Sequence, residues 1–319
     1  MSALVAAKTK DLTRDEWLEV RRQGIGGSDA AAIAGVSPFA SRLSVYLSKV
    51  QPLEAEPETE AQHFGNVLED VVAREFSRRT GFRVRRRNAV LRHPEHPWML
   101  ANVDRLVSDG ETGPAILEVK TRSAYARGAW EAGVPLDVQY QVQHYLAVTG
   151  YARAYVAVLL GGSDYRQVRA DRDEEFIARL TELERIFWFE HVLPGIPPEP
   201  DGSEASSVSL RRLYPTAVLD SEVILPDHAE ELVRELAEAK AEAKQAGDEV
   251  SRLENQVKAL MAEAETAYLP GIGRPVCTWK TQTRTTIDTK ALRSQEPEVA
   301  ARFEKTTESR TFRFQLKED

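Results

Sequence analysis

The chain has 319 residues, enough for one full α/β domain and something smaller besides. It contains no apolar run of 18 residues and no signal-like N-terminal stretch, which excludes a helical membrane span and leads us to expect a soluble cytoplasmic protein. The single cysteine, Cys277, excludes an intrachain disulfide and a four-cysteine iron–sulfur centre, and the six histidines show no metal-finger spacing.

In chain order, Thr13-Arg14-Asp15-Glu16 is a capping box that predicts a helix over 14–22, with Trp17 and Arg21 one turn apart. Gly24-Ile25-Gly26-Gly27-Ser28 then leads into an Ala-rich helix over 28–34. Glycines before a Ser cap place backbone N–H groups at one point, and Arg21 or its neighbour Arg22 adds a guanidinium fork suited to an anion. Helices are predicted over 41–49 and 62–80, separated by a Pro-containing loop with Glu54, Glu56, Glu58 and Glu60. In the second of these, Val67 or Leu68, Val71, Val72 and Phe76 recur at helical spacing and face the core, while Glu69 and Asp70 read as surface carboxylates. The net charge of −8 is awkward for a polyanionic partner, but it is unevenly spread. From Arg74 to Arg92 eight arginines face one acid, Glu75, so a local basic stripe is available along the strand near 82–92.

Strands are expected near 98–107 and 114–121, with turn residues at Asp109-Gly110 and Gly113-Pro114 between them. Glu118 and Lys120 then share a face by period-2 geometry, and the neighbouring strand brings Asp104 to them. Two carboxylates and an ammonium at one point make a site for a hard divalent ion such as Mg²⁺, with room left for a phosphate. Helices near 123–131 and 135–149 follow, and in the second Gln141 and Tyr145 lie one turn apart and can reach the edge of that site. Strands at 153–160 and 164–170 and a helix over 173–193 complete the pattern. Hairpin strands, a crossover helix and a further strand imply a mixed central sheet flanked by helices.

Asp104, Glu118-Val119-Lys120 and Gln141-xxx-Tyr145, in that order, resemble the PD-(D/E)xK nuclease superfamily, with Val103 where its proline usually stands. The upstream Trp17-xxx-Arg21 and Gly-Ser28 segment is similar to that of the YqaJ/lambda-exonuclease family. So is the aromatic run Ile186–Val192 before Gly195-Ile196-Pro197-Pro198. The resemblance implies a restriction-endonuclease-like core and an Mg²⁺-dependent 5′→3′ exonuclease on linear duplex DNA, with Mn²⁺ a possible substitute. In it Asp104, Glu118 and the Val119 carbonyl ligate metal, Glu69 completes the shell directly or through water, and Lys120 orients the attacking water. Arg21, Ser28 and Gln141 hold the terminal 5′-phosphate. It also implies a phage or prophage origin, 3′ overhangs, a single-strand annealing partner and a toroidal trimer. An endonuclease or structure-specific nuclease on the same core, or a non-catalytic end-binding protein, are the alternatives.

The nuclease-like domain is expected over 1–200, followed by a Pro- and Ser-containing linker over 201–226. From Leu232 through Leu236, Ala243, Val250, Val257 and on to Ala264, apolar residues follow a heptad that predicts one long coiled-coil-like helix within 227–268. A small α+β segment over 269–319 ends the chain, with strands at 275–281 and 311–316 around a helix near 289–304.

Overall fold

Arg153–Leu160 is apolar at both parities, the composition of a strand buried on both faces, and it becomes an interior strand of the main sheet. The computed structural model describes residues 3–10, 12–51, 59–306 and 309–315. The acidic stretch with Glu54, Glu56 and Glu58 and the end of the last expected strand, Leu316, lie outside the described residues. Two compact units emerge, Met1–Leu213 and Tyr214–Asp319.

The first unit runs β1 (Leu4–Lys8), α1 (Arg14–Arg22), α2 (Gly27–Ile33), α3 (Arg42–Val50) and α4 (Glu60–Thr80). Then come β2 (Arg83–Arg86), β3 (Ala89–Arg92), β4 (Leu100–Ala101), β5 (Arg105–Ser108), β6 (Ala115–Arg122) and a 3₁₀ helix, Ala124–Trp130. It closes with α5 (Leu136–Thr149), β7 (Arg153–Leu160), β8 (Asp164–Asp171), α6 (Glu174–Ile186), a π-helical turn at Phe187–Val192 and α7 (Glu204–Leu213). The five-stranded sheet has the order β2-β5-β6-β7-β8, with β6 and β7 parallel and every other pair antiparallel. β1, β3 and β4 form a smaller antiparallel sheet. The stretch expected as one strand near 82–92 therefore splits between two sheets, because Arg87-Asn88 interrupts the pairing, and β1 was not expected at all.

Parity along β6 sorts the core. Leu117 and Val119 pack with Val72, Ala73 and Phe76 of α4 and with Tyr155 and Ala157 of β7. Ile116 faces the opposite way, into the cluster holding Val138, Val142 and Leu146 of α5 and Ala154, Val156 and Val158 of β7. The even-numbered residues of β6, Glu118 and Lys120 among them, thus look toward α5. The mixed sheet flanked by helices is the expected fold class.

A further expectation fails in this unit. Residues 204–213 form a helix rather than a linker, because Ser203 Oγ accepts from Ser206 N–H at 3.1 Å and the small side chains of Ser206 and Ser209 bury against their surroundings. α7 packs on α3.

In the second unit α8 (Ala229–Met261) runs unbroken through Gly247-Asp248. Much of its heptad seam faces outward, with Leu232 66% and Leu260 88% exposed. β9 (Thr266–Ala267) and β10 (Cys277–Thr278) pair as a short hairpin. The helix expected near 289–304 is divided into α9 (Thr289–Gln295) and α10 (Pro297–Ala301), since Pro297 cannot donate to the preceding turn. Thr311–Gln315 is not a strand: Phe312 is exposed, and among the described residues this strand-like composition has no pairing partner.

Candidate active site

A cleft of about 1160 Å³ opens in the first unit, walled by α1, α2, α4, β6 and α5. Asp104 stands just before β5 and is held by the Val119 N–H, which donates to its Oδ2 at 2.9 Å. Burial, and behind it the charges of Glu118 and Glu69, push its carboxyl well above the usual carboxylate range, against the Val119 N–H and the Lys120 ammonium.

Glu118 is 2% exposed. Its Oε1 accepts from Lys120 Nζ at 2.7 Å and from Gln141 Nε2 at 2.8 Å, while its Oε2 is buried and accepts no hydrogen bond. Lys120 Nζ also donates to Gln141 Oε1 at 2.7 Å. Gln141 Nε2 reaches the Tyr145 hydroxyl at 3.1 Å, so the i,i+4 pair of α5 is closed on itself and on β6. Tyr145 is buried, and burial together with the charges of Glu118 and Asp104 raises its phenol well above its ordinary value. Its ring requires a glycine opposite: a Cβ at Gly27 would lie 2.3 Å from Tyr145 Cε1.

Glu69 lines the same cleft, but its carboxylate accepts from Arg105 Nη1. Arg105 is buried and also donates to the Asp104 carbonyl at 2.7 Å and to Asp70 Oδ1 at 2.6 Å. Asp70 pairs with Arg86 as well, and Arg86 and Arg105 hold its carboxyl down to about 2. Among the described residues no three carboxylate, imidazole or thiol groups meet in a metal-ligating arrangement. Asp104 and Glu118 face the cleft, whereas Glu69 is engaged by Arg105. The donor set still suits one hard divalent ion, which needs only one or two carboxylates from a protein. The orphaned Glu118 Oε2 and the disfavoured charge on Asp104 are the two features such a cation would relieve.

In the same cleft Arg21 Nη2 donates to Ser28 Oγ at 2.8 Å, and its guanidinium lies 4.8 Å from the Trp17 ring centre. Arg22 instead pairs with Glu19 at 3.0 Å. Ser28 is not the cap of α2: that place is taken by Gly26, whose N–H donates to Asp29 Oδ2 at 2.9 Å. The reason is that the aspartate three residues on reaches back to the chain as a capping side chain does. Gln141 hydrogen-bonds Glu118, Lys120 and Tyr145 and lines the same cleft as Arg21 and Ser28.

Arg105, Asp29 and Lys49 had not been singled out. The available signal was a charged residue at a core position of an apolar strand or helix, as in Arg105-Leu106-Val107, which must find a partner when buried. His144, close to the Gln-Tyr pair, is structural: its ring bonds Glu184 Oε1 at 2.7 Å and the Leu100 carbonyl at 2.8 Å in the core.

A mixed sheet with an acidic pair and a lysine at one end of adjoining strands, facing a Gln-xxx-Tyr helix, defines the class of site. Residues 16–152 match the model of the YqaJ-like viral recombinase domain. The chain is 40% identical over 314 residues to the uncharacterized protein YqaJ of Bacillus subtilis (strain 168), covering 97% of each. It belongs to the YqaJ family. Among solved structures, an alkaline exonuclease (LHK-Exo) from Laribacter hongkongensis is 20% identical, spanning 63% of this chain and all of that one, at a TM-score of 0.49. A phage-related exonuclease from Haemophilus somnus 129PT is 13% identical, spanning 54% and 96%, at a TM-score of 0.38.

Proposed function

We propose that this chain is a divalent-metal-dependent deoxyribonuclease that degrades linear duplex DNA from a phosphorylated 5′ end. One observation carries the reading: Glu118 Oε2 is buried with no hydrogen bond beside an Asp104 whose charge is disfavoured, an arrangement that costs the fold energy and that a cation repays. Asp104 and Glu118 would hold Mg²⁺ or Mn²⁺, with the Val119 carbonyl and, if released by Arg105, Glu69. Such an ion polarises a phosphoryl oxygen and acidifies water.

The side chains around it divide the work. Lys120 is pinned between Glu118 Oε1 and Gln141 Oε1, which aims its remaining N–H at an oxygen entering the cleft. Gln141 and Tyr145 fix that geometry from α5, so the ammonium arrives oriented and not free to rotate away. Arg21, braced on Trp17, and Ser28 supply a guanidinium and a hydroxyl for a terminal phosphate, and that choice of end sets 5′→3′ polarity. The family, a viral recombinase type, fits a 3′ single-stranded product handed to an annealing protein in the cytoplasm of a bacterial host.

The test is degradation of internally labelled duplex in Mg²⁺, presented as linear 5′-phosphate, linear 5′-hydroxyl and closed circular DNA. Nucleotide release from the 5′-phosphorylated linear form, leaving 3′ overhangs, is expected. Equal cutting of closed circles would place the chain among endonucleases. No metal-dependent release from any substrate would remove the nuclease reading.

A further inference from the structure

The phosphate pocket contains a contradiction. Arg21, the group assigned to an incoming phosphate, lies 3.6 Å from the buried carboxylate of Asp29, a competitor built into the protein. Asp29 is not expendable, because its Oδ2 holds the Gly26 N–H that starts α2. A lone buried carboxylate at this spot would draw Arg21 into a close ion pair and cancel its charge.

A second cation stands behind Asp29. Lys49, near the end of α3, is buried, and its Nζ donates to Asp29 Oδ2 at 2.6 Å and to the Arg21 carbonyl at 3.2 Å. The Lys49 contact is an ångström shorter than the Arg21 contact, so Asp29 spends its charge on Lys49. Burial opposes a charged Asp29, but Lys49 and then Arg21 outweigh it and hold its carboxyl below the usual range. Burial, and behind it the Arg21 charge, lower the Lys49 ammonium from its ordinary value against the pull of Asp29; with Lys49 and Asp29 paired as ions the trio carries one net positive charge, on Arg21, the one of the three that lines the cleft beside Ser28. Lys49 also ties down the backbone carbonyl of Arg21, so it constrains where the guanidinium begins as well as what it is drawn to.

We propose that Lys49 is a positioning residue for the phosphate pocket: by neutralising Asp29 it keeps Arg21 available to a terminal 5′-phosphate. It touches no substrate and acts only through Asp29 and Arg21. The inference rests on the assignment of Arg21 and Ser28 to phosphate.

The experiment compares kcat/KM on 5′-phosphorylated and 5′-hydroxyl linear duplexes for the full-length protein, for Lys49→Met and for the double variant Asp29→Asn with Lys49→Met. The native chain should favour the phosphorylated end. Lys49→Met should lower that preference about tenfold, the loss of one charge-assisted contact, through KM for the phosphorylated end. The double variant, with no carboxylate left to compete for Arg21, should recover the preference. A general loss of structure would instead depress both substrates together and leave their ratio intact. If Lys49→Met fails to fold, the double variant alone decides: folded but without preference, it overturns the proposal. A native preference that survives in Lys49→Met overturns it too. If the native chain shows no preference, the assignment of Arg21 and Ser28 falls first and the role of Lys49 falls with it.

Discussion

Asp104 and Asp109 bracket the same short strand, and the fold treats them in opposite ways. Asp109 is filled: Arg153 Nε donates to it at 2.7 Å, the Tyr155 hydroxyl at 3.0 Å and the Glu111 N–H at 3.0 Å. Chiefly through Arg153, its carboxyl sits well below the ordinary range. Asp104, five residues earlier, has its carboxyl pushed up and has for a neighbour a glutamate with an orphaned oxygen. One end of the β5–β6 pair is a satisfied structural clamp, and the other is a charge arrangement that native packing has not resolved. Unsatisfied buried charge lining a cleft is where function is expected; the other orphaned carboxylate oxygen among the described residues of the unit, Glu184 Oε2, lies in the core, where its partner oxygen bonds His144.

The comparison breaks most readily at Lys120. Lys120→Ala should lower kcat per folded molecule on linear duplex about 10²–10³-fold, the scale for losing one preorganised donor, and because it leaves the buried Glu118 carboxylate without its cation it should lower stability in urea denaturation as well. Arg153→Met separates the two readouts. Its side chain is 3% exposed and that of Asp109 1%, so an unpaired buried carboxylate should cost about 3 kcal/mol of stability, with kcat per folded molecule unchanged. Gly27→Ala, which forces Tyr145 to move, should cost about 1–3 kcal/mol and lower activity as well.

Smaller effects sharpen the same contrast. In chelator-treated buffer Asp104→Asn should raise stability by about 1 kcal/mol, since it removes a disfavoured charge at a functional site and keeps an acceptor for the Val119 N–H. Asp109 supplies the pH test. Its folded-state value is depressed, so its contribution is fully present above the unfolded carboxyl value of about 3.9 and is lost as pH falls toward the folded value. Thermal melts of the native chain should therefore drop as pH falls below about 4, and Asp109→Asn should flatten that limb. An unchanged limb would assign the acid sensitivity elsewhere.

The cluster of Asp104, Glu118 and Lys120 was legible in the sequence because strand parity is simple: Glu118 and Lys120 had to share a face, and turn residues marked the hairpin. The seam of α8 was legible for the same reason, a short period repeated many times. What escaped was long in sequence and short in space. Arg105 meets Glu69 across 36 residues and Lys49 meets Asp29 across 20, and no local pattern encodes either pairing. Lys49 read as an ordinary charge in the last turn of a helix. α7 was hidden because serines look like linker until something packs on them. Thr311–Phe314 misled in the other direction, with β-branched and aromatic residues and no strand to pair with among the described residues.

Divalent-ion binding tests the central claim most directly. Calorimetric titration of the metal-free protein with Mn²⁺ should give a saturable heat for the native chain, and Glu118→Gln, which neutralises the orphaned oxygen and keeps the shape, should bind at least tenfold more weakly. Equal binding by the two proteins would contradict the account, because the unresolved charge at the Asp104 end of β5 would then not be a metal site.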